Sequence, residues 1–291
     1  MKNRLIDDLI ILGISNPNDF ELFHPRTRDY DPLNVLKCKQ SGVLVLEEIV
    51  KNDDYYKTTL KDGTLNLGGG ALLQQSLGDD LRRFEQYKDE ITDSDILDFG
   101  CGWGGYLKLS KEISRSSIGI ELNIKNQEIV KSNGLDCFSS LEEINNYTFD
   151  LITLNHVFEH LVYPLEILTN LRKLLKDDGV LIIEVPHARD ILIESFNIEA
   201  FKDFIFWSEH LILHTKASLT KFACQSGLEL IKIEGLQRHP ISNHYHWLLD
   251  RKPGGHEVYS QLNKNSFHEN YKDFLSELNQ TDTLVGYFRK E

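Results

Sequence analysis

This sequence predicts an α/β protein built on an open, mostly parallel sheet with helices on both faces. Three observations predict it. From Asp95 onward, short apolar runs alternate with stretches of helical periodicity. Val180–Val185 is a near-continuous apolar run, the pattern of a strand buried on both faces. A glycine-rich turn, Asp98-Phe99-Gly100-Cys101-Gly102-Trp103-Gly104-Gly105, follows one strand and opens a helix.

The elements follow in order. Residues 1–92 read as an N-terminal elaboration. Pro17, Pro25 and Pro32 punctuate its start, Gly42–Val50 reads as a strand, and Leu67-Gly68-Gly69-Gly70 as a flexible turn. Leu72–Tyr87 has helical spacing, with Leu73, Leu77, Leu81 and Phe84 on one face. Residues 93–236 form the core. Ile96–Phe99 is a strand cut by Gly100, and Leu107, Leu109 and Ile113 place a helix after the glycines. Ser117–Leu122 is the second strand, and Ile124–Lys131 is a helix ending at Asn133-Gly134. Phe149–Leu154 is a further strand. Pro164 suits a first helical position, with Leu165, Leu168, Leu171 and Leu175 at helical spacing behind it. Leu219, Phe222 and Ala223 mark a helix closed by Gly227, and a strand starts at Leu228. Residues 237–291 form a C-terminal segment. There His244 and His246 alternate with Tyr245 and Trp247, as on a strand whose histidines face one way.

Composition narrows the function. The 291 residues are 41 % hydrophobic and 26 % charged, the proportions of a packed globule. The 45 acidic against 32 basic side chains give a net charge of -13, and no basic stripe offsets it. Nucleic acid and anionic membrane are therefore not expected partners. No apolar run approaches the roughly 20 residues of a membrane span, and Asp7 and Asp8 argue against an export signal. Cys38, Cys101, Cys137 and Cys224 stand far apart, which fits a reducing cytoplasm and leaves no zinc module or disulfide framework.

Gly100, Gly102 and Gly105 satisfy the dinucleotide pattern G-x-G-x-x-G, which plain turn glycines satisfy as well. Asp98 narrows the choice. A buried carboxylate is costly unless compensated, and a ligand carrying an ammonium and a sulfonium compensates it. Dinucleotide enzymes usually place an apolar residue at that point. Glu121 ends the second strand, where an acid can accept hydrogen bonds from both hydroxyls of a ribose.

With these residues the sequence resembles the class I S-adenosylmethionine-dependent methyltransferases. The resemblance runs from about Asp95 to Glu234 through ILDFGCGWGG (Ile96–Gly105), GIEL (Gly119–Leu122), FDLITLNHVFEHL (Phe149–Leu161), LLKDDGVLIIEVPH (Leu174–His187) and SEHLILHTKASLTKFACQSGLEL (Ser208–Leu230). It implies a Rossmann-like, doubly wound sheet of seven strands with the last antiparallel. It also implies that Asp98, Gly100, Cys101, Gly102, Glu121, Leu122 and Asn155 bind S-adenosylmethionine. The flanks resemble sugar methyltransferases of bacterial surface-polysaccharide and capsule clusters, through VLKCKQSGVLVLEE (Val35–Glu48), QRHPISNHYHWLLDRKPGGH (Gln237–His256) and TDTLVGYFRK (Thr281–Lys290). In that comparison the N-terminal elaboration is the degenerate relic of a zinc module that keeps only Cys38, and residues 237–291 lie on the acceptor side.

Transfer of a methyl group to a hydroxyl also requires that a proton leave, and a histidine near pKa ~6.5 is the natural base. His160, beyond the fourth strand, is the catalytic candidate, with His210 as its replacement. His160 can equally be a residue that orders its loop. His214, His244 and His246 are candidates for acceptor binding, and packing is their alternative. His239 or His256 could join the last two around a metal, but no carboxylate stands at ligand spacing, so no metal is expected. The expected function is methylation of a sugar or sugar-nucleotide oxygen, in the cytoplasm. Carbon methylation, an NAD-dependent oxidoreductase and a catalytically inactive cofactor-binding protein remain the alternatives.

Overall fold

The computed structural model describes residues 1–51, 53–58 and 70–291. The turn expected at 67–70 lies mostly outside them. Near the N-terminus, β1 (Phe20–His24), β2 (Val35–Cys38) and β3 (Leu44–Leu46) form an antiparallel sheet closed by the two-residue β9 (Ile212–Leu213). Asn3 fastens this unit to the rest, donating from Nδ2 to the carbonyls of Leu46 and Leu211.

Among the described residues seven strands make the main sheet. These are β4 (Asp95–Phe99), β5 (Ser116–Ile120), β6 (Asp136–Phe138), β7 (Phe149–Asn155), β8 (Leu175–Pro186), β10 (Leu228–Leu236) and β11 (Thr283–Lys290), in the spatial order β10-β11-β8-β7-β4-β5-β6. β4 pairs in parallel with both β5 and β7, and β7 in parallel with β8. β11 is antiparallel to β8 and β10, between which it lies. The fold is thus the Rossmann-like sheet with an antiparallel last strand, and that strand comes from the segment set apart as C-terminal.

The apolar runs fill the core as their composition demands. Leu97, Ile152, Leu154, Leu181, Ile183 and Phe288 are fully buried. Pro164 opens the helix Pro164–Leu174, and Gly227 follows the helix Lys216–Gln225 at φ +76°, where a side chain would be strained. Strand order reverses at β4, because β5 and β6 lie on one side and β7 and β8 on the other. Such a switch point leaves a crevice beyond the carboxyl ends of the flanking strands, where ligands bind.

Two local expectations fail. The helix Gly70–Gln86 forms, but Leu77 and Leu81 are each 52 % exposed. Its buried side chains include Asp80 and Arg83, drawn inward by ion pairs, so charge rather than apolar spacing orients the helix. His244 and His246 lie on a helix, Ile241–Asp250, not a strand. Trp247 anchors it between Phe201 and Phe204, each ring centroid 5.1 Å away.

Candidate active site

The glycine loop caps the crevice between β4 and β7. Asp98 is buried at the end of β4 and accepts hydrogen bonds from Thr153 Oγ1 (2.8 Å) and Asn155 Nδ2 (3.2 Å). Burial outweighs these donors and pushes its carboxyl up to about 6. Asn155 Oδ1 is buried beside it without a hydrogen-bond partner. Two oxygens thus converge, one on a poorly compensated carboxyl and one orphaned, and together they call for a cationic donor.

The loop itself is pinned to β5. The N–H groups of Gly100 and Cys101 both donate to the Ile120 carbonyl, at 2.8 and 2.9 Å. Gly102 N donates to Glu121 Oε2 (2.9 Å), and Asn123 N to Glu121 Oε1 (2.7 Å). Gly100 has φ +79° and packs so closely on Val157 that a Cβ would come within 2.4 Å of it. At Gly102, with φ +54°, a Cβ would meet nothing within 4 Å among the described residues. One glycine is therefore required by close packing, and the other borders open space.

Cys101 turns its side chain into the interior. Its Sγ faces Cys137 Sγ at 4.0 Å in the interior, and its N–H and carbonyl are taken by Ile120 and Gly104. It shapes the loop and offers a ligand no polar group. Gly119 leaves the room for it, since a Cβ there would lie 2.5 Å from Cys101 Sγ. Leu122 and Trp103 stay partly exposed on the rim, able to cover a flat apolar ring.

Beyond β7 the chain turns through His156, at φ +54°, into a short 3₁₀ turn, Phe158–His160. This turn carries Glu159, which is fully buried. Among the described residues its ion-pair partners are histidines alone. His156 Nδ1 lies 3.2 Å from Oε1 and His160 Nε2 3.9 Å from it. Burial by itself would raise this carboxyl. The His156 hydrogen bond and the charges of His160, His156 and His210 outweigh it and hold the group at about 2. The His210 ring meets the His160 ring at 5.0 Å between centroids. His160 Nδ1 is 2.9 Å from the Glu209 carbonyl. That carbonyl can only accept, so Nδ1 carries hydrogen and Nε2 is the nitrogen turned toward Glu159.

The cluster adjoins the cofactor loops. Val157 bridges it to Gly100, and Tyr56 bridges it to Asn123. The Tyr56 carbonyl accepts from Asn123 Nδ2 at 3.2 Å, and its ring lies 6.1 Å from that of His160.

The sequence-predicted acceptor residues are placed differently. His214 is buried between the rings of Phe158 and Phe222 and shares a hydrogen bond with Ser218 Oγ. His244 has both nitrogens engaged, by Gln237 (3.2 Å) and by the Tyr271 hydroxyl (2.7 Å). His246 is buried and paired with Asp250 at 3.2 Å. All three side chains are buried.

From residues 237–256 it is Arg238 that reaches the site. Its Nη1 donates to His156 Nε2 at 2.9 Å and pairs with Asp79 Oδ2 at 3.2 Å. Glu184, fully buried on β8, receives both Arg82 and Arg83 at 2.8 Å. Burial opposes its charge, but Arg83, His156 and Arg82 hold it well below the usual carboxylate range. These five residues fix the His156 turn from behind. No spacing pattern singles them out, and the only hint was an acid inside an apolar strand run.

Comparison with known proteins decides the family. A methyltransferase-domain family matches residues 71–233, more than half of the chain. The chain belongs to the methyltransferase-domain family. Its fold is similar to that of S-adenosylmethionine-dependent methyltransferases. An uncharacterized protein of Methanocaldococcus jannaschii is 34 % identical over 125 residues, 43 % of this chain and 51 % of that protein, so the match spans about half of that relative's length. A ubiquinone biosynthesis O-methyltransferase of Haemophilus ducreyi is 24 % identical over 179 residues, covering 53 % of this chain and 72 % of that one. A crystal structure of an S-adenosylmethionine-dependent methyltransferase from Archaeoglobus fulgidus has the same fold, with TM-score 0.52 and 18 % identity over 74 % of this chain and 94 % of that one. Among the described residues of this methyltransferase, no helix is long and apolar enough to cross a membrane.

Proposed function

We propose that this methyltransferase moves the methyl group of S-adenosylmethionine onto a hydroxyl oxygen of a small polar acceptor, a sugar or sugar nucleotide of the kind that feeds surface-polysaccharide synthesis in the cytoplasm. The observation that carries this reading is the Glu159–His160–His210 cluster, packed through Val157 against Gly100. An oxygen acceptor must lose a proton, and here histidines and a buried anion adjoin the cofactor loop.

In this reading the Asp98 carboxylate and Asn155 Oδ1 take the cofactor's ammonium, and Glu121 takes the ribose hydroxyls. Leu122 and Trp103 cover the adenine, and the open side of Gly102 leaves room for the cofactor's approach. Bound there, S-adenosylmethionine supplies an electrophilic methyl on a sulfonium, which leaves as the neutral thioether when a C–O bond replaces the C–S bond. His160 Nε2 takes the proton from the acceptor hydroxyl, and Glu159 stabilises the imidazolium that results. His210, Tyr55 and Tyr56 border the same space; Tyr55 donates to Glu209 Oε1 at 2.8 Å. This polar lining favours a polyhydroxylated acceptor.

The likeness to a ubiquinone biosynthesis O-methyltransferase favours a second reading, a phenolic oxygen as acceptor. The test is label transfer from methyl-labelled S-adenosylmethionine to a panel of sugar nucleotides, free sugars and dihydroxybenzoates, with product linkage read by mass spectrometry. Methyl ethers of sugars are expected. Methyl ethers of the phenols alone would replace the first acceptor by the second, and label on nitrogen or carbon alone would overturn both.

A further inference from the structure

Glu159, His160 and His210 present one ligand atom each, all within 4.8 Å of one another. We propose that these three residues form a binding site for a first-row divalent cation such as Mn²⁺ or Zn²⁺. The role assigned to the ion rests on the reading above, in which the cluster faces the acceptor.

Three features carry the proposal. The first is charge. Glu159 is fully buried, and among the described residues no lysine or arginine pairs with it. A buried carboxylate is costly unless a cation or hydrogen-bond donors compensate it. The second is tautomer. His160 Nδ1–H donates to the Glu209 carbonyl, which turns the Nε2 lone pair toward the carboxylate. Nε2 and Oε1 stand 3.9 Å apart, too long for a direct hydrogen bond and close to the spacing of two ligands on one ion. A ring N–H held by a backbone carbonyl is also how metal-binding histidines are oriented. The third is the donor set. Among the described residues Glu159 Oε2 is buried without a hydrogen-bond partner, while Oε1 already has His156. Two imidazoles and one carboxylate suit Mn²⁺, Fe²⁺, Co²⁺ and Zn²⁺ and leave coordination positions open.

The geometry requires only a small closure. Ligand atoms at about 2.0–2.2 Å from an ion lie roughly 3–4.4 Å apart, so the observed spacings contract by less than about 1 Å. An ion seated there occupies the place that the acceptor proton takes in the metal-free protein. It offers a free position to the acceptor oxygen and makes that hydroxyl more acidic, its proton passing to solvent. The sequence reading held no metal, because His210 is far in sequence from Glu159 and His160 and only the fold brings it to them.

The experiment is calorimetric titration of chelator-stripped full-length protein with Mn²⁺ and, separately, Zn²⁺, with metal content counted after desalting. One equivalent is expected. Glu159→Gln and His210→Ala should each weaken it by at least the roughly 10–100-fold that outer-shell changes cost at metal sites. S-adenosylmethionine affinity and melting temperature serve as controls for folding. His210→Ala, at a half-buried loop position, keeps the test valid if Glu159→Gln does not fold. Absence of stoichiometric binding, or binding unchanged in a folded His210→Ala variant, overturns the site. If the stripped protein methylates sugars at full rate with no metal bound, this inference fails while the proposed function stands. If one metal binds and no hydroxyl is methylated, the proposed function fails while the site stands.

Discussion

His156, His160 and His210 gather around a buried carboxylate, whereas His187, His214 and His244 are buried and, among the described residues, none of them is ion-paired. Glu159 holds the first group together and is itself kept ionised by it. In the second group burial dominates. It pushes His214 down to about 3, and His187 and His244 down to about 4. The difference teaches that histidine chemistry is set by the nearest charge rather than by depth. Glu159 is as deeply buried as His214, but it has partners that answer its charge.

The largest effect that can break this comparison is on rate. His160→Ala should lower single-turnover methyl transfer by about 10²–10⁴-fold and leave S-adenosylmethionine affinity unchanged. His214→Ala should lower the melting temperature and leave the rate per folded molecule intact. A slow but fully stable His214→Ala variant would end the distinction.

Acid stability comes next. Histidines with depressed native pKa values bind protons only when unfolded, so stability is lost as pH falls from 6.5 toward 4. Each contributes up to about 1.4 kcal/mol per pH unit, or roughly 4 kcal/mol per unit for the three together. Denaturant titrations at successive pH values would show that slope, and His244→Gln should remove about one third of it.

Two carboxyls repeat the contrast at the scale of a single group. Asp190 is buried and raised to about 8, by burial and then by Asp282, and it caps the N–H of Leu192 at 2.8 Å. A carboxyl raised on folding costs stability as pH climbs from 3.8 through 8. Asp190→Asn keeps the capping oxygen and should out-melt the parent by a margin that grows by about 1.4 kcal/mol per unit over that range. Asp98, raised to about 6, instead awaits a cationic ligand. Below pH 6 it must lose a proton to pair with the cofactor's ammonium, so affinity should fall by up to about tenfold per pH unit. Asp98→Asn should bind more weakly and without that dependence, as calorimetry between pH 5 and 8 would show.

Much of the cofactor end was legible in the chain. A strand, a glycine turn and an acid at each of two strand ends are local features, and their spacing survives into the fold. Asp98 and Glu121 stand where the pattern put them, while Cys101 turned inward because its loop is tied to the Ile120 carbonyl. The acceptor end was read poorly. His244 and His246 look like a strand pair because alternation with aromatics mimics period two, yet Pro240 opens a helix there and Trp247 anchors it. Arg238, Asp79 and Glu184 left almost no trace in the sequence, since an ion pair between distant residues has no local period.

Apolar periodicity and the glycines by themselves determined the alternating sheet and the turn that caps it, because backbone sterics and burial act over a few residues. Only the tertiary structure decided which histidines meet Glu159. Bringing His210 beside His160 takes the two-residue β9, the N-terminal sheet that receives it, and the Glu209 carbonyl that orients His160. The charge of a site built that way depends on contacts between residues far apart in the chain, and such contacts exist only once the chain has closed on itself.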